Sequence, residues 1–362
     1  MVPVESKPFK ALFSSVAIGA LRLTNRVVFP PMATRFAQDE CVTERLVQHY
    51  ADRARGGAGL IIVEGTAVSA DGQAWPSSLC IFDDRHVEGL ARLAQTVHLA
   101  GSRVAIQLMH SGRQTSSDIT GTTPVGPSPL ALSSEHETPR QLSVEEIATI
   151  RDAFAAAAIR ARRAGFDAVE MHGAHGYLLA QFASPYSNRR EDEYGGDLER
   201  RMRFPLEVAR AVRDAVGTDF PLIYRMSAAE PEVEDGLRLT DAQSLAVALE
   251  MQGVDAIHVS AGYRVPGDTP MPPRKAPEGA LLPYASAIKM AVRVPIIAVG
   301  KITSPQFADS IIASGRADLV SIGRGLTRDP DWVRKAAEGH PETIVGCAFC
   351  KRCVYWRTGC PG

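Results

Sequence analysis

The chain has 362 residues, 45% of them apolar and 22% charged, with a formal net charge of −1. That composition fits a soluble globular protein with room for one large core or two smaller ones. A near-neutral balance offers no field to a nucleic-acid backbone, no apolar run is long enough to span a bilayer, and MVPVESKPFKALFSS lacks the basic-then-apolar order of an export signal. Small-molecule partners are therefore expected, with no nucleic acid and no membrane, and the cytoplasm is the expected compartment.

In chain order, β-branched runs alternate with helical patterns. Strands are expected at residues 26–29, 60–64, 104–108, 168–171, 222–226, 256–260, 296–299 and 319–322. Between them the apolar spacing predicts helices at 43–56, 85–100, 144–164, 198–216, 241–251, 284–290 and 305–314. Ser143 and Thr240 are the helix-start signals, and Gly101, Gly165, Gly217, Gly253 and Gly315 the stops. Eight short buried strands, each followed by a helix, predict a (β/α)8 TIM barrel over residues 1–340. A cysteine-rich metal-binding tail is expected over 341–362. A doubly wound sheet would need a glycine-rich turn after its first strand, and Phe29-Pro30-Pro31-Met32 is not one. Residues 111–142, rich in Pro, Thr, Ser and Gly, are too long for an ordinary connection. A loop excursion or small hairpin over the barrel mouth is expected there.

A barrel places its chemistry at the C-terminal ends of its strands. Thr34, Glu64, Gln107 with His110, His172 to Tyr177, Arg225, Ser260, Gly300 and Gly323-Arg324 fall at such ends. His172 and His175, three residues apart, are expected on one side of a helical turn, each able to donate to an anionic or carbonyl oxygen. Tyr177 is a proton donor in the same mouth, and Gly173 and Gly176 allow a backbone or ligand to approach closely. A metal pair, or histidines merely bonded to carbonyls, are the alternatives. Gly323-Arg324, ahead of a short helix expected near Asp329-Pro330, and Gly300-Lys301 make a candidate phosphate seat. The competing reading is a structural arginine. For Arg225 the alternative is an ion pair with a carboxylate such as Glu230.

Four of the six cysteines, Cys347, Cys350, Cys353 and Cys360, follow the spacing C-x2-C-x2-C-x6-C. Thiolates so clustered suit an iron-sulfur cluster or zinc, with four free thiols as the remaining alternative, and spacing alone leaves these open.

Taken together, Leu23-Thr24-Asn25-Arg26, Pro31-Met32-Ala33-Thr34, His172-Gly-Ala-His175-Gly-Tyr177-Leu178, Ser184-Pro185 to Asn188-Arg189-Arg190, Asp192-Glu193-Tyr194-Gly195-Gly196 and Gly323-Arg324 resemble the old yellow enzyme (NADH:flavin oxidoreductase) family. The likeness runs from Leu12-Phe13 to Asp329-Pro330-Asp331-Trp332. It is greatest to the branch of 2,4-dienoyl-CoA reductase and trimethylamine dehydrogenase, whose barrel is followed by cysteines for a 4Fe-4S cluster.

The resemblance implies an FMN-dependent ene-reductase. Electrons would come from NAD(P)H or through the cluster, and reduced flavin would pass hydride to an enone- or enoyl-type alkene. It implies that Pro31, Met32 and Thr34 line the flavin, that Gln107 and Arg225 bond its pyrimidine side, and that Gly300, Gly323 and Arg324 grip its phosphate. His172 and His175 would bind the oxygen of the activating group, with Tyr177 as the proton donor. Tyr263 and Arg264 would face the substrate. Arg264 stands where dienoyl-CoA reductases supply a second proton-relay histidine, which favours a simple enone or an anionic substrate.

The tail departs from the branch pattern in its short last gap and in Lys351, where an asparagine is usual. Zinc therefore stays beside iron-sulfur as the centre that Cys347, Cys350, Cys353 and Cys360 would ligate. The residues end at Gly362, ahead of where multidomain members carry further cofactor domains. A separate electron carrier or reductase is accordingly expected as a partner, together with homo-oligomers. The competing function is an oxidative amine or substrate dehydrogenase passing electrons out through the cluster, with Trp75, Tyr263 and Trp356 as walls for a cation. A barrel kept only for binding or scaffolding would not need His172, His175, Tyr177 and Arg324 together.

Overall fold

A computed structural model describes residues 8–263 and 272–350 of the chain. Its eight main strands are β1 (Val27–Phe29), β2 (Leu60–Ala67), β3 (Arg103–Met109), β4 (Ala168–Gly173), β5 (Leu222–Ser227), β6 (Ala256–Ser260), β7 (Ile296–Ala298) and β8 (Leu319–Ser321). Each is parallel to its neighbour, and β8 pairs with β1, so the sheet closes into a (β/α)8 barrel. The outer helices are α1 (Glu44–Arg55), α2 (Val87–Leu99), α3 (Val144–Arg163), α4 (Leu198–Val216), α5 (Leu239–Met251), α6 (Leu282–Lys289), α7 (Pro305–Ala313) and α8 (Trp332–Ala337).

Every expected strand is present. β2 runs past residue 64 because its ladder bulges between Val63 and Thr66 and then resumes beside β3. The start of α5 needs correction: Thr240 lies inside the helix, and the extended residue before it is Arg238. Leu239 packs on the core and fixes the entry of that helix without a side-chain cap. α6 starts two residues earlier than expected because Pro283 suits a first turn. Residues 111–142 are not a hairpin. Their two short strands, Val125–Gly126 and Arg140–Gln141, run parallel. Among the described residues no helix is long and apolar enough to cross a membrane.

β2, β4, β5 and β6 are buried at every position. Both faces of a barrel strand are covered, which is why the sequence shows apolar runs there and not alternation. The inward face begins with a fully apolar layer, to which each of the eight strands contributes, from Val28 through Ala105, Ala168, Ile223 and Ala256 to Leu319. An N-terminal hairpin, Val16–Ile18 with Leu21–Leu23, closes this end and was not expected from the sequence. Its Ile18 and Leu23 are buried in the same layer, each worth about 1.5–3 kcal/mol of burial. With this end filled by apolar side chains, polar chemistry is left to the C-terminal ends of the strands.

Candidate active site

Side chains two residues apart on a strand share a face. One step above the apolar layer therefore come Gln107, Glu170, Arg225 and His258, and one step further His172, Ser227 and Ser260. The barrel interior thus changes from apolar to polar toward the mouth. Gln107 Nε2 donates to Glu170 Oε1 at 2.7 Å, and His258 Nδ1 lies 2.7 Å from Glu170 Oε2. Arg225 pairs in register with both His172 and His258. Its Nε is buried with no protein partner among the described residues. Glu230, its alternative partner, is instead bonded by Ser184 Oγ and the Leu237 amide.

His172 and His175 do meet, but not on a helical turn. His172 belongs to β4, His175 has a left-handed backbone with φ 60°, and the next helix starts only at Leu178. The turn sets their rings 5.2 Å apart, nearly perpendicular, with the Tyr177 ring 4.7 Å from that of His172. His172 Nδ1 accepts the Ala174 amide at 3.3 Å. His175 Nε2 lies 2.8 Å from Ser260 Oγ, and its amide donates to Ser227 Oγ at 3.0 Å. Burial first, and the Arg225 charge second, hold both imidazoles well below the usual histidine range. At neutral pH each is therefore a neutral ring with one N–H.

Gly173 and Gly176 make room for protein. A Cβ on Gly173 would stand 2.0 Å from the Tyr224 hydroxyl, and one on Gly176, which has φ 72°, would stand 2.6 Å from the Tyr263 ring. His110 is also held by protein: its Nδ1 accepts the Gly112 amide, and its Nε2 lies 3.4 Å from Asp71.

A cavity of ≈ 370 Å³ opens beside this cluster. It runs from His175, Arg225 and Ser260, past Pro30 and Met32, to Gly300, Lys301, Gly323 and Arg324. Gly323 opens a short helix, Gly323–Arg328, where the sequence reading placed no element before Asp329-Pro330; the next helix is α8. The first amides of a helix have no intrahelical acceptor and suit an anion. Arg324 Nη1 donates to the Pro272 carbonyl at 2.9 Å, and its guanidinium lies 4.6 Å from the Phe349 ring.

Such a cavity fits a planar ring with a phosphate tail. It joins Arg225 Nε and Ser321 Oγ, both buried and without a partner among the described residues, to a basic end. The backbone at Gly300 has φ 123°, and a Cβ there would meet Leu281 at 2.7 Å. Pro31, Thr34, Gln107, His172 and Tyr177 are not among the lining residues; the His172 and Tyr177 rings adjoin it through His175 and each other. Thr34 is fully buried. Its amide donates to Glu64 Oε2 at 2.7 Å, and its Oγ1 accepts the Phe36 amide. Burial pushes the Glu64 carboxyl up to about 7.

Tyr263 is buried. Its hydroxyl accepts from Arg113 Nη2 at 2.6 Å, and its amide donates to Glu232 at 3.0 Å. Arg264, Cys353, Cys360 and Trp356 lie outside the described residues. Cys347 lines the cavity and Cys350 is exposed. Among the described residues no group of three or more His, Cys, Asp or Glu could hold a metal. Sequence reasoning missed Glu170, His258 and Phe349. The first two had a signal: a lone polar residue inside an apolar strand, two places from another inward-facing position.

The chain is 46% identical over 345 residues to an NADH oxidase of Thermoanaerobacter brockii, covering 94% of this chain and 53% of that protein. It is 40% identical to an NADPH dehydrogenase of Halalkalibacterium halodurans, covering 92% and 96%. A solved 2-naphthoyl-CoA reductase in complex with 2-naphthoyl-CoA superposes with a TM-score of 0.92 at 26% identity, covering 96% of this chain and 56% of that one. The chain thus spans about half the length of some relatives, and nearly all of the NADPH dehydrogenase. With a family model matching residues 11–343, the chain belongs to the NADH:flavin oxidoreductase / NADH oxidase family.

Proposed function

We propose that the chain binds FMN and, with NAD(P)H as electron donor, reduces an activated alkene such as an enone. The observation that carries this reading is the neutral His172–His175 pair with Tyr177, beside a cavity that ends at Gly300, Gly323 and Arg324. FMN, when bound, supplies the hydride transfer. Pro31, Met32 and Thr34 would line its ring, Gln107 and Arg225 its polar edge, and Gly300, Gly323 and Arg324 its phosphate.

The remaining chemistry belongs to side chains. With Nδ1 of His172 accepting a backbone amide, its Nε2–H is the donor left for the activating oxygen of the substrate. Ser260 holds Nε2 of His175 and leaves Nδ1 as the second contact. Negative charge grows on that oxygen during reduction, so these bonds strengthen toward the transition state. Burial, with the Arg225 charge second, keeps both rings neutral, and Arg225 adds positive charge nearby. Tyr177 gives its hydroxyl proton to the α-carbon.

Amine oxidation is the competing reading, and the aromatic walls argue against it. Arg35 already lies over the Trp75 ring at 5.6 Å, and Arg113 lies over Tyr263 at 5.5 Å. A cationic substrate would meet like charge at both. For the tail we infer an iron-sulfur cluster on Cys347, Cys350, Cys353 and Cys360, with zinc as the alternative. The Phe349 amide donates to Cys347 Sγ at 3.3 Å, a bond that favours a thiolate.

Purified protein is expected to be yellow, to release FMN on denaturation, and to oxidise NADPH anaerobically with cyclohexenone. Trimethylamine with a dye is expected to give no turnover. Tyr177→Phe should slow the alkene half-reaction at least tenfold and leave flavin reduction by NADPH unchanged. Protein that takes up no FMN, or turns over only the amine, would sink the reading.

A further inference from the structure

His175 has a backbone that a histidine disfavours. Its φ of 60° and the 72° of Gly176 set two left-handed residues in succession, a region that a residue with a Cβ enters only when its surroundings hold it there. Gly176 accepts either sense of the peptide that joins the two, so the glycine alone does not fix it. The bonds around the turn do. The His175 amide donates to Ser227 Oγ at 3.0 Å, and Ser227 Oγ donates onward to the Gly262 carbonyl at 2.8 Å. From the loop after β3, Gln114 Nε2 donates to the His175 carbonyl at 2.7 Å. A carbonyl only accepts, so the NH2 end of Gln114 must face it. Gln181, fully buried on the short helix Leu178–Ala183, donates to the Gly176 carbonyl at 2.7 Å. It also donates to the Ser111 carbonyl at 3.2 Å and accepts the Arg113 amide at 3.3 Å, so it ties the loop to the helix as well. Gln114 is the more specific of the two. It is buried, its Oε1 has no partner among the described residues, and its side-chain bond there goes to His175. A Cβ on Gly176 would stand 2.8 Å from Gln114 Nε2, so the bare glycine makes room for this amide as it does for the Tyr263 ring.

We propose that Gln114 is a positioning residue for His175: its hydrogen bond fixes the His175–Gly176 peptide and so aims His175 Nδ1–H at the activating oxygen of the substrate. The inference rests on the role given to His175 above. His172 lies within β4, where its register with Arg225 sets its direction. His175 lies beyond that ladder and depends on the side chains around the turn. Without Gln114 the His175 carbonyl would be buried and unpaired, and a peptide next to glycine can turn to relieve that. His175 lines the cavity and Gln114 does not, so Gln114 acts through His175 and not on the cofactor.

Gln114→Met removes the donor and nearly keeps the shape. With the flavin reduced by dithionite and mixed anaerobically with cyclohexenone, Q114M should be reoxidised at least tenfold more slowly than the wild type. Its FMN affinity should stay within threefold. Gln114→Glu is the rescue. Burial favours the neutral carboxyl at pH 6, and a neutral acid can still donate to the His175 carbonyl, so Q114E should react within threefold of the wild type there. In a His175→Ala background Q114M should slow the reaction no further, whereas a role in stability alone would act whatever stands at 175. A Q114M rate within threefold of the wild type overturns the proposal, as does Q114E as slow as Q114M at pH 6. An additive double variant, or FMN affinity that falls in step with the rate, overturns it too. If Q114M does not fold, Gln114→Asn, whose shorter side chain withdraws the amide, takes its place under the same criteria. Wild-type protein that takes up no FMN, or H175A that keeps the wild-type rate, instead fails the underlying reading, a result distinct from all of these.

Discussion

Glu64 and Glu230 are buried carboxyls that burial pushes up to about 7 from an ordinary 4.5, against hydrogen bonds from Thr34 and from Leu237 with Ser184 that pull the other way. Between those two values the folded chain keeps protons that the unfolded chain has released. Stability should therefore fall as pH rises from about 4.5 to about 7, with the full deficit present above that window. Each group can contribute on the order of 3 kcal/mol as an upper bound. Glu64→Gln keeps an oxygen for the Thr34 amide and removes the titration. Urea unfolding between pH 5 and pH 8 should show a shallower loss of stability for E64Q than for the wild type. Identical slopes would mean that Glu64 does not titrate in this range. Thr34 was legible in the sequence by its place after a strand. Glu64 was legible as a strand-end polar residue, but not its bond to Thr34, because that contact spans 30 residues and depends on the bulge.

At the scale of elements, the packing of β4 on β5 gives the sharpest expectation. A Cβ on Gly173 would overlap the Tyr224 hydroxyl, which is itself buried without a partner among the described residues. Gly173→Ala should therefore cost about 1–3 kcal/mol or more by overpacking, and it should disturb the turn that brings His172 to His175. Tyr224→Phe, which removes only that oxygen, should be nearly neutral alone and should recover part of the loss in the double variant. Failure of Y224F to recover anything would place the strain elsewhere. The sequence showed these strands because both faces are covered, and it placed the barrel order on that basis. It did not show that the turn after β4 is irregular, because three-residue spacing in His172 and His175 imitates a helical face. The hairpin at Val16–Ile18 and the helix at Gly323–Arg328 were missed because each is too short to develop a period. Glu170 and His258 were visible as single polar residues in apolar strands. Their partnership needed the closed barrel, which brings β4 and β6 to face one interior.

Over the whole molecule, residues 345–349 lie against the barrel mouth. Val345, Gly346, Cys347 and Phe349 line the same cavity as Gly300, Gly323 and Arg324, and the Phe349 ring lies 5.1 Å from Lys301 and 4.6 Å from Arg324. Any metal held by Cys347 would thus adjoin the basic end of the cofactor cavity, and tail and cofactor would stabilise each other. Anaerobically prepared protein is expected to contain about four irons and four sulfides per chain, as suits ligation by four thiolates. It should also show broad absorption beneath the flavin bands that bleaches with dithionite. Cys347→Ser with Cys350→Ser should remove the iron and, through the loosened Phe349 contact, weaken FMN binding severalfold. Elemental analysis separates the alternatives. One zinc and no iron would make the tail a structural knuckle, and the barrel would then take its electrons from NAD(P)H alone. Loss of iron with unchanged FMN affinity would show that cluster and cofactor seat are energetically independent, despite sharing one cavity wall.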